Sequence, residues 1–233
     1  MYVVITGATK GIGRALAFAF AHEGFNLAVC ARNEQDLVTL QGDITAKYPT
    51  VKVLYKATDV SDKIQLDAFA DAIKETCDTV AVLINNAGWF ATYPLLEEPE
   101  GYVEKMMTTN TFSAYHLCRA LAPKLIAQKK GSIFNICSVA SFRSFPNSAA
   151  YVVSKHAMLG LSRALRLELM PHNIKVTSVC PGAVYTAAWD GSGVAEERLM
   201  APKDIADAVV GCYKLSDRSV VEEIVLRPMA GDL

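Results

Sequence analysis

Thr6-Gly7-Ala8-Thr9-Lys10-Gly11-Ile12-Gly13 stands between a short apolar run, Val3-Val4-Ile5, and a helical apolar pattern that begins near Arg14 with Leu16, Phe18 and Phe20. β-Branched residues closed by glycines read as a buried strand entering a tight turn. Between a strand and a helix is where an open α/β sheet binds a pyrophosphate. Glycines let the backbone turn sharply and approach phosphates, and a helix N-terminus supplies unpaired N–H groups and a positive dipole end. A glycine-rich turn alone is weak support for a ligand; a strand before it and a helix after it strengthen the reading.

Outward from this loop the chain alternates strand and helix patterns. Residues 27–30, 51–55 and 80–84 read as strands, and so do 132–137, 174–180 and 221–226. Asn33 is placed to cap a helix with Leu37, Val38 and Leu40 turned inward. Ser61-Asp62 opens another over Ile64, Leu66, Phe69 and Ile73. One long helix is expected over 102–128, a second over 149–169 stopped at Pro171, and a third from Pro202 to about residue 215. Continuously apolar strands separated by helices imply a parallel sheet covered on both faces. The expected fold is α/β: a single-domain, Rossmann-type doubly wound sheet over residues 1–233. It is mostly or wholly parallel, with about seven strands and helices on both faces.

Of the 233 residues, 52% are hydrophobic and 20% charged, enough for one large core and too little charge for a disordered chain. The formal net charge of -1 gives no electrostatic reason to expect nucleic acid or an anionic membrane as partner. No apolar run approaches the ~20 residues of a membrane helix. Met1-Tyr2-Val3-Val4-Ile5 lacks the basic region and cleavage site of a signal peptide, so a cytoplasmic protein is expected. The six cysteines, Cys30, Cys77, Cys118, Cys137, Cys180 and Cys212, form no CxxC pair and accompany no His cluster. They read as reduced, packed thiols, and no metal is expected.

Tyr151 and Lys155 lie four apart on an expected helix and so share a face. A free phenol, with a pKa of ~10, is a poor base at neutral pH, but a neighbouring ammonium stabilises the phenolate. That makes a phenol usable as acid or base. Ser138 closes a strand on the ligand-binding edge of the sheet, where a hydroxyl can hydrogen-bond a substrate oxygen. Each of these residues alone could be an ordinary surface or turn residue.

Together with TGxxxGxG, Asn85-Asn86-Ala87-Gly88 and Pro181-Gly182 followed by Thr186, these residues resemble the short-chain dehydrogenase/reductase family. The resemblance runs in register over essentially the whole chain. Within the family the sequence is similar in style to 3-oxoacyl carrier-protein reductases and to sepiapterin or dicarbonyl reductases. The resemblance implies hydride transfer between a nicotinamide and a carbonyl or alcohol. It assigns Ser138, Tyr151 and Lys155 as the reacting triad and Asn110 as a fourth residue holding a proton-relay water. For the cofactor it implies Gly7, Thr9, Gly11, Ile12 and Gly13 at the pyrophosphate, Lys10 beside a ribose 2′-phosphate, and Asp59 and Val60 at the adenine. Asn86, Ala87 and Gly88 then line the ribose, Lys155 contacts ribose hydroxyls, and Pro181, Gly182, Val184 and Thr186 lie at the nicotinamide and phosphates. Asn85 is expected to stabilise the sheet instead.

Arg32 ends the second strand, where an acid would bind a ribose 2′-hydroxyl and repel a 2′-phosphate. A guanidinium there favours NADP(H) over NAD(H), and the resemblance places Lys10 near the same phosphate. The segments 89–94, 141–148 and 185–200 are expected to border the substrate pocket. They carry Trp89, Phe90, Tyr93, Phe142, Phe145, Tyr185 and Trp189 but few charges, chiefly Arg143, Asp190 and the acids after Val194. Apolar or aromatic carbonyl substrates are therefore expected rather than polyols. Apolar residues around much of the 149–169 helix, with the family's habit of pairing through it, imply a homodimer or homotetramer. The alternative function is a non-catalytic dinucleotide-binding sensor or scaffold.

Overall fold

The structure is a computed structural model that describes residues 1–189 and 191–232; Asp190 of the expected pocket lies outside the described residues. Strands β1 (Tyr2–Thr6), β2 (Asn26–Ala31), β3 (Val53–Ala57), β4 (Val80–Asn85), β5 (Gly131–Ile136), β6 (Ile174–Pro181) and β7 (Glu223–Leu226) form one sheet. Its order is β3-β2-β1-β4-β5-β6-β7, and every pairing is parallel. β1, β4 and β5 are buried at every residue, which is why Val3 to Ile5 and Val80 to Ile84 read as unbroken apolar runs, while β5 carries the buried polar residues Ser132 and Asn135.

The described residues also form the helices α1 (Gly11–His22), α2 (Glu34–Lys47), α3 (Lys63–Thr76), α4 (Tyr102–Met107), α5 (Ser113–Gln128), α6 (Ala149–Leu169) and α7 (Pro202–Tyr213); all but α4, which packs on α6, lie against the sheet. On one face Leu16 and Phe20 of α1, Leu37 and Ile44 of α2 and Val209 of α7 pack against Val3, Ile5, Val29 and Ile84. On the other, Leu66 and Phe69 of α3 and Leu117 and Leu121 of α5 pack against Val4, Ala28, Leu83 and Ile133. Neighbouring strand residues thus serve opposite layers, as the two-residue period of a strand requires.

Several expectations need correction. Val38 and Ile64 are exposed, because the buried stripes run through Leu37-Leu40-Ile44 and Leu66-Phe69-Ile73. The first helix starts at Gly11, so the last two loop glycines form its first turn. β3 begins two residues later than expected, and β7 at Glu223. The long helix is interrupted: a π turn, Thr108–Phe112, separates α4 from α5. Hydroxyls around it bond back to carbonyls four residues earlier, Thr108 to Glu104, Thr109 to Lys105 and Ser113 to Thr109. Such back-bonding competes with the regular ladder, and an inserted residue makes a π bulge.

The strand order reverses between β1 and β4. The chain leaves these two neighbours in opposite directions, opening a crevice at their C-terminal ends. Among the described residues no helix is long and apolar enough to cross a membrane.

Candidate active site

Two loops are stitched together at this switch point. The Thr6 hydroxyl accepts from the N–H groups of Asn86 and Ala87, both at 3.0 Å. Asn86 Nδ2 in turn donates to the carbonyls of Thr6 at 2.9 Å and Gly7 at 3.1 Å. Gly7 has φ +66°, and a Cβ there would sit 3.0 Å from the Cα of Ala87. At Gly13 a Cβ would lie 2.1 Å from the Gly7 carbonyl oxygen, so only glycine lets α1 approach the loop this closely. Lys10 occupies the cap position of α1 without a side-chain capping bond. Gly11, Ile12 and Gly13, whose N–H groups have no partner within a helix, line the crevice beside it.

The crevice is a cleft of about 1040 Å³. Gly7, Thr9, Lys10, Gly11, Ile12 and Gly13 line one stretch of it, and Arg32, Asp59 and Val60 another. Asn86, Ala87 and Gly88 form part of its wall, as do Pro181, Gly182, Val184 and Thr186. Ser138, Tyr151 and Lys155 line the same cleft. Asp59 also has a local role: its Oδ1 accepts from the N–H and hydroxyl of Ser61 at 2.9 and 2.7 Å. Asn85 sits in the sheet, donating to Asn135 Oδ1 at 2.8 Å.

Lys155 is buried, and its Nζ donates to the carbonyl of Ile136 at 2.9 Å. The same Nζ lies 5.8 Å from the centre of the Tyr151 ring. Ser138 caps a short turn, Val139–Ser141, and its Oγ accepts from the Ala140 N–H at 3.0 Å. Asn110 is buried in the π turn, behind the cleft rather than among its lining residues. Its Oδ1 accepts from the Trp89 N–H at 2.7 Å, and its Nδ2 donates to the Trp89 carbonyl and to Ser154 Oγ. Both Nδ2 hydrogens are thus committed to protein partners. Gly88 sits against this group: a Cβ on it would be 3.5 Å from Asn110 Oδ1 and 3.6 Å from Lys155 Nζ.

Four of the seven pocket aromatics line the cleft: Trp89, Phe90, Phe145 and Trp189. Phe90 meets Tyr151 edge-to-face at 4.8 Å. Three do not line it. Tyr93 packs on Tyr102 at 5.2 Å, Phe142 is exposed, and Tyr185 borders a separate groove between α1 and α7. Sequence reasoning missed Asp36, Lys105, Thr109 and Asp232, all of which line the cleft, while Ser148 lines it within the expected segment 141–148. Asp36 comes one turn after the cap residue Asn33 and pairs with Lys10 at 3.5 Å; among the described residues Arg32 forms no ion pair. Lys105 lies with its Nζ 5.1 Å over Trp89. Asp232 accepts from Arg227 Nε at 2.8 Å and also pairs with Arg143, tying the chain's end to the turn after β5. Residues so far apart in sequence left no local pattern to read; only the helical spacing of Lys105 and Thr109 hinted at a shared face.

Five of the six cysteines are buried, and burial pushes the Cys30 and Cys118 thiols up to about 12. Cys137 also lines the cleft. Its hydrogen bond with Cys180 holds its thiol below the ordinary value and raises that of Cys180.

A parallel sheet with a glycine-walled cleft at its switch point, and a buried lysine beside a tyrosine in that cleft, defines an oxidoreductase that uses a nicotinamide dinucleotide. The chain belongs to the short-chain dehydrogenase family, whose model matches residues 1–196. It is 36% identical to a sepiapterin reductase of Chlorobaculum tepidum, over 99% of this chain and 97% of that one. Among solved structures it is similar to an alcohol dehydrogenase of the archaeon Thermococcus sibiricus complexed with 5-hydroxy-NADP. There the TM-score is 0.91 and the identity 30%, covering 100% of this chain and 98% of that one. An L-sorbose reductase of Gluconobacter frateurii, complexed with NADPH and L-sorbose, gives a TM-score of 0.90 at 26% identity, covering 97% and 94%.

Proposed function

We propose that the protein transfers a hydride between NADP(H), in preference to NAD(H), and the carbonyl or alcohol carbon of a small apolar or aromatic substrate. The observation that carries the reading is one cleft holding Arg32 and the glycine loop together with Ser138, Tyr151, Lys155 and four aromatic rings. The cradle fits a dinucleotide: backbone N–H groups for a pyrophosphate, and a wall at Gly7 and Gly13 that a Cβ would obstruct. When bound, the nicotinamide supplies or accepts the hydride.

The chain's own groups do the rest. Ser138 donates a hydrogen bond to the substrate oxygen, its own lone pair being held by the Ala140 N–H. Tyr151 delivers a proton to that oxygen in reduction and removes it in oxidation. Lys155, anchored by Ile136, stabilises the phenolate left behind and reaches the ribose hydroxyls. Asn110 braces Trp89 and α6 behind the cleft with its side-chain amide, so the relay water assigned to it as the fourth residue of the set would be held by its main chain rather than its amide. Arg32 pairs with the 2′-phosphate. The NADP-type ligands of the two solved relatives support the cofactor assignment.

NADPH consumption with a panel of aromatic ketones, dicarbonyls, 3-oxoacyl thioesters and free sugars tests the reading. Turnover is expected with the first three. Turnover of sugars alone overturns the substrate class, and none with any compound favours the sensor or scaffold. The protein is also proposed to pair with copies of itself through α5 and α6, where Tyr115, Val153 and Leu167 are exposed. A monomer by light scattering at micromolar concentration counts against that.

A further inference from the structure

Ser141 is buried beneath the candidate active site, and its hydroxyl bridges two of the proposed reacting residues. Ser141 Oγ donates to the main-chain carbonyl of Lys155 at 2.8 Å and accepts from the main-chain N–H of Ser138 at 3.3 Å. The Ser141 N–H donates to the Ser138 carbonyl at 2.9 Å, closing the turn on itself. Lys155 is therefore gripped at both ends by the segment that carries Ser138. Ile136, two residues before Ser138, takes its ammonium, and Ser141, three residues after, takes its carbonyl.

The carbonyl grip is not there to satisfy the helix. Lys155 lies inside α6, where the amide four residues on already serves its carbonyl. The added bond joins α6 to the turn after β5, beyond the bond that Lys155 Nζ makes to Ile136 at the end of the strand. We propose that Ser141 is a positioning residue for the reaction: it sets the distance between the Ser138 hydroxyl and the Tyr151–Lys155 pair. Tyr151 is included because it stands one helical turn before Lys155 and moves with it. Within α6, Ser154 Oγ accepts from Asn110 at 3.0 Å and donates to the Tyr151 carbonyl at 2.8 Å, tying the helix to the π turn.

The inference rests on the roles proposed for Ser138, Tyr151 and Lys155. Its test is a comparison of wild type, Ser141→Ala and Ser141→Thr on a ketone turned over by the wild type. Turnover is expressed per NADPH-binding site, so a partly unfolded preparation does not imitate the effect. Displacement of reacting groups by a fraction of an ångström to an ångström predicts a kcat about ten- to a hundredfold lower in Ser141→Ala. The ketone KM and the NADPH Kd stay within about threefold, because the glycine loop and aromatic walls are untouched. Ser141→Thr, which keeps the hydroxyl, recovers most of the lost kcat. A wild-type kcat in Ser141→Ala overturns the inference, as does a loss shared equally among kcat, KM and NADPH binding. A wild type with no turnover overturns the functional reading, and this inference with it.

Discussion

At the dinucleotide end of the cleft the walls are backbone, held by the short side chains of Thr6 and Asn86. Asn86 and Thr6 join the loops after β1 and β4 by four hydrogen bonds, and Gly13 leaves no room for a methyl group. At the substrate end the walls are rings. Phe90 and Phe145 come from segments outside the sheet, and Phe90 is 42% exposed and held edge-on against Tyr151. Hydrogen-bonded loops at a sheet edge have one arrangement, and a single added carbon has nowhere to go. An exposed edge-to-face ring pair is worth only about 0.5–1.5 kcal/mol and leaves the ring room to shift. One end is thus built to hold a constant ligand and the other to admit a range.

The largest expected effect falls where the two ends meet. Tyr151→Phe removes only the proton donor and leaves both walls in place. It lowers turnover about a thousandfold, with NADPH affinity nearly unchanged by fluorescence titration. Turnover near the wild-type level at neutral pH would refute the proton role given to Tyr151.

Gly13→Ala attacks the rigid end itself. Its Cβ would have to lie 2.1 Å from the Gly7 carbonyl oxygen, so α1 and the loop must separate. A loss of about 3 kcal/mol in denaturant unfolding is expected, together with failure to bind NADPH. A variant as stable as wild type with full NADPH binding would show that this end yields after all. Arg32→Asp keeps the architecture and reverses one charge. A charge-assisted bond of roughly 1.5–3 kcal/mol sets a ten- to hundredfold preference, so the kcat/KM ratio of NADPH to NADH falls by about that factor. A wild type that prefers NADH, or an unmoved ratio, breaks the cofactor assignment.

The same contrast explains what could be read from the amino acids alone. TGxxxGxG, Asn86-Ala87-Gly88 and Tyr151 with Lys155 are local patterns whose geometry follows from a turn or a helix, and all of them line the cleft. Apolar runs such as Val80 to Ile84 gave the sheet, because strands buried on both faces admit little else. The π turn at Asn110 was not legible. It depends on hydroxyl back-bonding and on the buried partners Trp89 and Ser154, which are distant in sequence. Asp36 and Asp232 were missed for the same reason: each enters the cleft through tertiary placement rather than through a motif.

The smallest expected effects separate real walls from apparent ones at the adaptable end. Phe142 and Phe145 lie three apart in one loop and were indistinguishable in sequence. In the structure Phe145 lines the cleft and is half-buried, whereas Phe142 is 43% exposed and is not among the cleft's lining residues. Truncating a ring that touches a bound apolar group removes contact area worth about 1–3 kcal/mol, so Phe145→Ala raises KM for an aromatic ketone about tenfold. Its NADPH affinity stays at the wild-type value, since the glycine loop and Arg32 lie elsewhere along the cleft. Phe142→Ala leaves both constants within about twofold, as surface changes away from a site do. Michaelis constants for two ketones, one aromatic and one aliphatic, give the answer for both variants. Equal effects at the two positions would mean that the loop moves as a unit over the substrate, and the distinction between lining and exposed rings would fail.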